Sequence, residues 1–304
     1  MQPPYYKFSQ YLKNQYGEKV YKVCVDAGFS CPNRRNKTGY NGCIFCRVDS
    51  FSRMQSLKKI DIDDQIEQGI LLARERLHID KYIVYFQAST NTYAPIDVLE
   101  TMFRKAINHK GVVGLSIATR PDCLSAGVIE LLKTIAGETD LWIELGLQST
   151  HNSTLERMQR GHSYEDYLSA VERLTPLPIR ICTHMMLGLP GEGKEEIISS
   201  AKKIAALVIH EVKIHPLLIL EETPMAELYR GSKVKALSLA DYTEQVCDFI
   251  EELPSRMVIQ RLTAEAPDKI LIAPRWALNK HKVFQSVENE FCKRGSRQGI
   301  KFEG

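Results

Sequence analysis

Seven short runs rich in β-branched and aliphatic residues, separated by amphipathic stretches, constrain this chain more than any other feature. The runs are Lys19–Asp26, Tyr82–Gln87, Val112–Ala118, Leu141–Leu147, Ile179–Met186, Glu211–Leu218 and Met257–Leu262. Several are apolar almost continuously, as strands covered on both faces are. Between them lie stripes at helical spacing. Ile62, Ile66, Ile70, Ala73 and Leu77 form one; Leu99, Met102, Phe103 and Ala106 another; Ile197, Ala201, Ile204 and Val208 a later one. Strand–helix alternation repeated about six times predicts a parallel sheet joined by right-handed crossovers. Periodicity alone leaves a closed barrel, a partly open barrel and a doubly wound layer all open.

Each of these architectures gathers functional residues just after the C-terminal ends of the strands. The segments there are polar: Cys31 to Cys46, Ala88-Ser-Thr-Asn-Thr92, Thr119-Arg-Pro-Asp122, Gln148-Ser-Thr150 and Gly188-Leu-Pro-Gly-Glu-Gly193. His215-Pro216 lies within the sixth run. The 304 residues, 44% hydrophobic and 25% charged, suit one large α/β barrel or two small domains. No run approaches the roughly 18 apolar residues of a membrane span, so no membrane partner and a cytoplasmic location are the default expectation. The net charge of +3 demands no anionic partner. From Arg275 onward, however, seven Lys/Arg face three Glu.

Eight cysteines in such a chain are unlike a disulfide framework. Cys24, Cys123, Cys182, Cys247 and Cys292 are scattered singly and read as small buried apolar residues. Cys31, Cys43 and Cys46 crowd into the spacing C-x11-C-x2-C. The close pair can wrap two thiolates around a metal or a cluster corner, and Gly39 and Gly42 let the chain turn so that Cys31 joins them. Structural zinc wants a fourth protein ligand, and no second close pair exists. Three thiolates without a fourth suit a [4Fe–4S] cluster with one iron open. A zinc loop completed by His78 or His109 stays open on spacing alone.

The stretch Val25-Asp-Ala-Gly-Phe-Ser-Cys-Pro-Asn-Arg34, followed by Gly42-Cys-Ile-Phe-Cys46, resembles the cluster loop of radical S-adenosylmethionine (SAM) proteins. Its wide first gap is similar to that of the Elp3-related branch. Tyr85-Phe-Gln-Ala-Ser-Thr-Asn-Thr-Tyr-Ala-Pro95, Ile117-Ala-Thr-Arg-Pro-Asp122, Glu144-Leu-Gly-Leu-Gln-Ser149, Arg160-Gly-His162, His184-Met-Met-Leu-Gly-Leu-Pro190 and Arg261-Leu-Thr-Ala-Glu-Ala-Pro267 follow in order. Together they resemble the YtqA/YhcC (MnmL-type) group over about Gly17 to Trp276. That resemblance implies an α/β fold, a partial (β/α)6-type TIM barrel over residues 17–270. It leaves a short N-terminal extension, 1–16, and a basic C-terminal extension, 271–304, packed on or beside the barrel.

The resemblance further implies that Cys31, Cys43 and Cys46 hold a [4Fe–4S] cluster and that the open iron binds SAM, cleaved reductively to a 5′-deoxyadenosyl radical. Phe45 would pack beside the adenine. Gln87, Ser89 and Thr90 occupy the place of the SAM amino-group site, without the Gly-Gly-Glu of many relatives. Thr119 and Arg120 would lie near the SAM carboxylate, a role an Arg fork suits. Glu144 would accept ribose hydroxyls or the SAM amine, with Gln148 beside it, and Leu187, Gly188 and Pro190 would line the adenine. His184 and His215 read either as proton-handling groups in the barrel interior or as hydrogen-bonded core residues.

The same resemblance implies tRNA as substrate, at a modified wobble uridine whose carboxymethylaminomethyl group is processed towards aminomethyl. An external one-electron donor such as flavodoxin or ferredoxin would supply the reducing electron. Arg34, Arg35 and Lys37 in the cluster loop and Lys280, Lys282, Lys293, Arg294, Arg297 and Lys301 in the tail are candidate phosphate contacts, with Trp276, Phe284 and Phe291 able either to stack on bases or to pin the tail to the barrel. A radical SAM oxidoreductase on a small metabolite and a non-enzymatic cluster- or metal-bearing RNA-binding protein are the alternative readings.

Overall fold

A computed structural model describes residues 3–35, 42–47 and 60–304, with the side chain of Arg35 not described. Lys37 and Gly39 lie outside the described residues. Seven parallel strands make one sheet: β1 (Val20–Val25), β2 (Lys81–Phe86), β3 (Val112–Thr119), β4 (Asp140–Gln148), β5 (Ile179–Leu187), β6 (Glu211–Pro216) and β8 (Val258–Arg261), paired in that order. Each of the seven expected runs is a strand within two residues of its expected ends. A short antiparallel pair, β7 (Ile219–Leu220) and β9 (Leu271–Ala273), stands apart. The sheet curls into a half-barrel, the partial TIM barrel expected.

Crossover helices cover its convex face: α2 (Ile62–Leu77), α3 (Ile96–Ile107), α4 (Ala126–Ala136) and, after the short α5 (Asn152–Arg157) that leads to Met158 beside the cysteine loop, α6 (Tyr164–Leu174), α7 (Lys194–Ala205) and α9 (Leu239–Glu251). Side-chain alternation explains why. Val84 and Phe86, Leu115 and Ile117, Ile181 and Met185, and Val212 and Ile214 all join the main hydrophobic core outside the sheet. Phe86 meets Phe103 of α3 edge to face at 5.3 Å between centroids. The alternate residues point into the curl and are largely polar. Both faces of the strands are therefore covered, the inner one by charge rather than by hydrocarbon.

The two edges of the sheet are β1 and β8, and the N-terminus fills the gap between them. Tyr6 C=O accepts from Ile259 N–H (2.8 Å), and Lys7 bridges to Ile259 in parallel. Leu12 of α1 (Phe8–Tyr16) packs on Ile83 and Trp142 at the floor of the curl.

The C-terminal segment packs on the barrel through its aromatic residues. Phe291 of α10 (Lys280–Arg294) is fully buried, Phe284 packs on the same core, and Trp276 stacks at 5.0 Å on Tyr242 while its Nε1–H donates to Leu237 C=O. Lys280 pairs with Glu265, Lys293 with Glu290, Lys301 with Glu251, and Arg294 with Asp248, Glu251 and Glu290. Asp248 and Glu251 on α9, Glu290 on α10 and Glu265 thus pair with four of the six tail cations named above. Among the described residues no helix is long and apolar enough to cross a membrane.

Truncating Phe103 to Ala removes a filled, aromatic-lined position and should cost about 3–5 kcal/mol. Urea denaturation should show a lower midpoint at unchanged slope; a loss under about 1 kcal/mol would contradict this packing.

Candidate active site at the mouth and in the lumen of the half-barrel

The C-terminal ends of β1 to β5 meet at one rim, and the cysteine loop lies across it. A 3-10 turn, Pro32–Arg35, follows Cys31, with Arg34 N–H donating to Cys31 C=O (3.1 Å). Ile44 N–H donates to Met158 C=O (3.1 Å), Met225 N–H at the start of α8 (Pro224–Arg230) donates to Ile44 C=O (3.0 Å), and Cys46 N–H turns back to Cys43 C=O (2.9 Å). All three thiols are free of disulfides.

Cationic and amide N–H groups point at these sulfurs. Asn33 Nδ2 lies 3.3 Å and Arg160 Nη1 3.4 Å from Cys43 Sγ, and Arg34 Nη2 lies 3.8 Å from Cys46 Sγ. Burial, then the nearby Cys43, pushes the Cys46 thiol up against the pull of Arg34. Soft sulfur ligands surrounded by N–H donors form a donor set that fits an iron–sulfur cluster. The positions of His78 and His109 fit a zinc loop poorly. His78 caps the C-terminus of α2, at the end of the half-barrel where strands begin, and the His109 imidazole is engaged by Asp63 in the first turn of that helix (3.0 Å).

Two glycines allow this packing. Gly161, at φ +70°, would with a Cβ place it 2.5 Å from Asn33 Oδ1, and a Cβ on Gly146 would fall 2.8 Å from Arg160 Nη2. Arg160 therefore reaches Gly146 C=O (2.6 Å) and Cys43 with the same guanidinium.

Most of the expected SAM contacts gather at this rim. Ser89 adopts φ +64°, and its buried hydroxyl has no hydrogen-bond partner among the described residues. Thr90 N–H donates to Ser30 C=O (3.3 Å), joining the Gln87–Thr90 turn to the cysteine loop. Thr119 and Thr92 share a 2.5 Å hydroxyl pair. The Arg120 fork grips Asp122 at 2.9 Å through both Nε and Nη2 and reaches Arg160 C=O (2.8 Å). Gln148 ends β4 at φ +83°, Leu187 is buried, Gly188 turns at φ +84°, and Pro190 C=O accepts from Arg157.

Glu144 lies deeper, apart from that group. Fully buried, its Oε1 accepts from Lys22 Nζ (2.7 Å) and Ser116 Oγ (2.6 Å), and its Oε2 from His184 Nε2 (2.8 Å) and Lys213 Nζ. Burial alone would raise this carboxyl, but Lys213, Lys22 and His184 hold it well below the usual range. Burial lowers Lys213 to about 8 against the pull of Glu144. It also lowers His184 to about 4 and, with His184 alongside at 5.5 Å between rings, depresses His215 well below its ordinary value. Both histidines thus face the interior as neutral imidazoles. Sequence reasoning missed Lys22, Tyr85, Ser116 and Lys213 as parts of this cluster. The available signal was a charged residue at an inward position of an otherwise apolar strand.

The lone cysteines divide. Cys182 and Cys247 are buried as expected, but Cys123 is half-buried and Cys24 and Cys292 are exposed. Cys24 sits between Val23 and Val25 of the core and so faces inward. It keeps solvent exposure while protein surrounds it, as a side chain facing an open chamber does; that surrounding pushes its thiol up.

The depressed imidazole sets an acid limit. An unfolded His titrates near pH 6.5 and folded His184 only near 4, so unfolding takes up a proton between those values. Stability should fall by about 3 kcal/mol as pH drops from about 6.5 to 4, and further as Glu144 is protonated. His184→Gln, which keeps a donor for Glu144, should shrink that loss in denaturation curves collected across this range. An unchanged pH dependence would contradict the assignment.

Known proteins extend this picture. Residues 37–204 match the model of the radical SAM superfamily, and residues 209–293 that of the Radical_SAM C-terminal domain. The protein YtqA of Bacillus subtilis is 38% identical over 299 residues, spanning 98% of this chain and 93% of that protein. A tRNA uridine(34) acetyltransferase of Methanocaldococcus infernus is 29% identical over 164 residues, 53% of this chain and 30% of that protein. The solved structure of the archaeal Elp3 of Methanocaldococcus infernus superposes with a TM-score of 0.74 at 20% identity, over 92% of this chain and 64% of its own, and so shares the fold. The chain belongs to the radical SAM superfamily, whose members use a [4Fe–4S] cluster and S-adenosylmethionine.

Proposed function

We propose that this radical SAM enzyme modifies tRNA at the wobble uridine, processing a carboxymethylaminomethyl group towards aminomethyl. The observation that carries this reading is the likeness of half the chain to a tRNA uridine(34) acetyltransferase, a protein acting on that nucleotide by its name. The chain spans only 30% of that relative, so the reaction need not be shared.

Cys31, Cys43 and Cys46 hold the cluster in this reading. When bound, the cluster and SAM supply a carbon-centred radical able to abstract hydrogen from an unreactive C–H bond. The chain's own residues position and shield. Asn33 and Arg160 orient Cys43 through N–H···S contacts, and Arg120, clamped by Asp122, braces the backbone at Arg160. The unpartnered Ser89 hydroxyl and the Thr90 turn are offered to SAM from β2, Thr119 from β3, and Gln148, Leu187, Gly188 and Pro190 from the far side of the rim. Glu144 acts below the cofactor, fixing the lumen wall. An external one-electron donor such as flavodoxin or ferredoxin completes the requirement for a reductant.

Gly161→Ala should cut the iron retained per chain at least severalfold, because its Cβ would displace Asn33 from Cys43; full iron content would argue against that contact. The substrate is tested by nucleoside mass spectrometry of tRNA from a strain lacking the gene. Carboxymethylaminomethyl-uridine should accumulate at the expense of its aminomethyl product. An unaltered wobble-uridine profile would overturn the proposal.

A further inference from the structure

The lumen carries more positive charge than its walls neutralise. Lys22 and Lys213 both converge on one carboxylate, Glu144. A second buried carboxylate facing the curl, Glu211, is engaged one layer deeper by Arg180 (2.7 Å), Trp142 Nε1 (2.8 Å) and Gln260, and Asp26, buried just beyond the end of β1, accepts from Gly28 N–H (2.8 Å). Arg261 pairs with Glu265 at 3.1 Å. The imidazoles of His184 and His215 and the thiols of Cys24 and Cys182 are neutral at physiological pH. One ammonium in the chamber is left without a counter-charge among the described residues, a costly state in a partly desolvated site.

We propose that this chamber is a carboxylate pocket, in which Lys213, backed by Lys22, receives a carboxylate carried in by the substrate. Lys213 has three N–H donors. Glu144 and the Tyr85 hydroxyl (3.2 Å) take two, and the third has no acceptor among the described residues. The Tyr85 ring lies 4.6 Å from the Lys22 ammonium and 4.3 Å from that of Lys213, a flat aromatic platform that holds both cations in place. Cys24, Lys22 and His184 keep solvent-exposed surface inside the curl, so a ligand group has a way in. Glu144, Cys182 and His184 come within 4.8 Å of one another, but two ammoniums on Glu144 repel a metal cation. The pocket rests on the reading that the substrate's reacting group enters the lumen, and it gives that reading chemical content: a carboxymethyl group supplies such an anion.

The test is calorimetric titration of the anaerobically reconstituted protein with 5-carboxymethylaminomethyl-uridine, 5-aminomethyl-uridine, sarcosine and SAM. The acid-bearing nucleoside should bind at least tenfold more tightly than the amine. Lys213→Gln should abolish that difference and Lys213→Arg restore most of it; Lys22→Gln serves the same purpose should Lys213→Gln not fold. Equal affinity of the two nucleosides, or indifference to both lysine substitutions, would overturn the pocket while leaving the uridine assignment intact. Lysine-dependent binding of sarcosine with no binding of either nucleoside would uphold the pocket and count against uridine. A Lys213→Gln protein that loses tenfold in SAM affinity would place the cofactor's carboxylate there and overturn the proposal.

Discussion

A fully buried carboxylate cannot stay charged without donors, and Glu144 finds its donors on four other strands. Lys22 comes from β1, Ser116 from β3, His184 from β5 and Lys213 from β6. Each of these four stands three residues before the last residue of its strand. The register itself is staggered, Lys22 lying opposite Ile83, Ser116 opposite Trp142 and Glu144 opposite Cys182, so the tilt and curl of the sheet bring them together. The convergence requires a sheet curled enough for β1 to face β6 across a lumen. Lys22 even reaches Gln260 on β8 at 3.0 Å, linking the two edges without backbone pairing. Removing one member of such a buried ionic cluster typically costs about 3–5 kcal/mol because its partners stay behind unpaired. The half-barrel's shape and the chemistry of its interior are therefore one constraint.

The rim depends on that frame through β4. Gly146, two residues beyond Glu144, presents its carbonyl to Arg160, which in turn contacts Cys43. The Cys43 end of the loop is thereby tied to a buried strand. Met225 and Met158 hold the opposite side of the same loop. The cysteine loop, the rim carrying Ser89 and Gly188, and the Glu144 cluster lie in successive layers; in the proposed reading that order keeps a reactive radical between its source and its target and away from water.

Strand positions were legible because the convex face is hydrocarbon at every second residue and most intervening residues are too small or too few to mask it. Cys31, Cys43 and Cys46 were legible because nothing in a core explains their spacing. The lumen was not. Lys22 and Lys213 in a strand read as solvent-facing residues, and only the tertiary curl turns that solvent into a chamber. Cys24 was misjudged for the same reason, an inward side chain meeting a cavity instead of a core. The tail's aromatic residues could not be assigned between stacking and packing from sequence, because the core they join and the acidic partners of Arg294 and Lys301, Asp248 and Glu251, come from a distant helix.

The most direct measurement is iron and zinc analysis, with electron paramagnetic resonance after reduction, of anaerobically purified protein and its Cys31→Ala, Cys43→Ala and Cys46→Ala variants. About four irons per chain and a reduced-cluster signal are expected in the unaltered protein, with both lost in every variant. Tetrahedral zinc in the unaltered protein, or an intact cluster in Cys43→Ala, would contradict the three-thiolate centre.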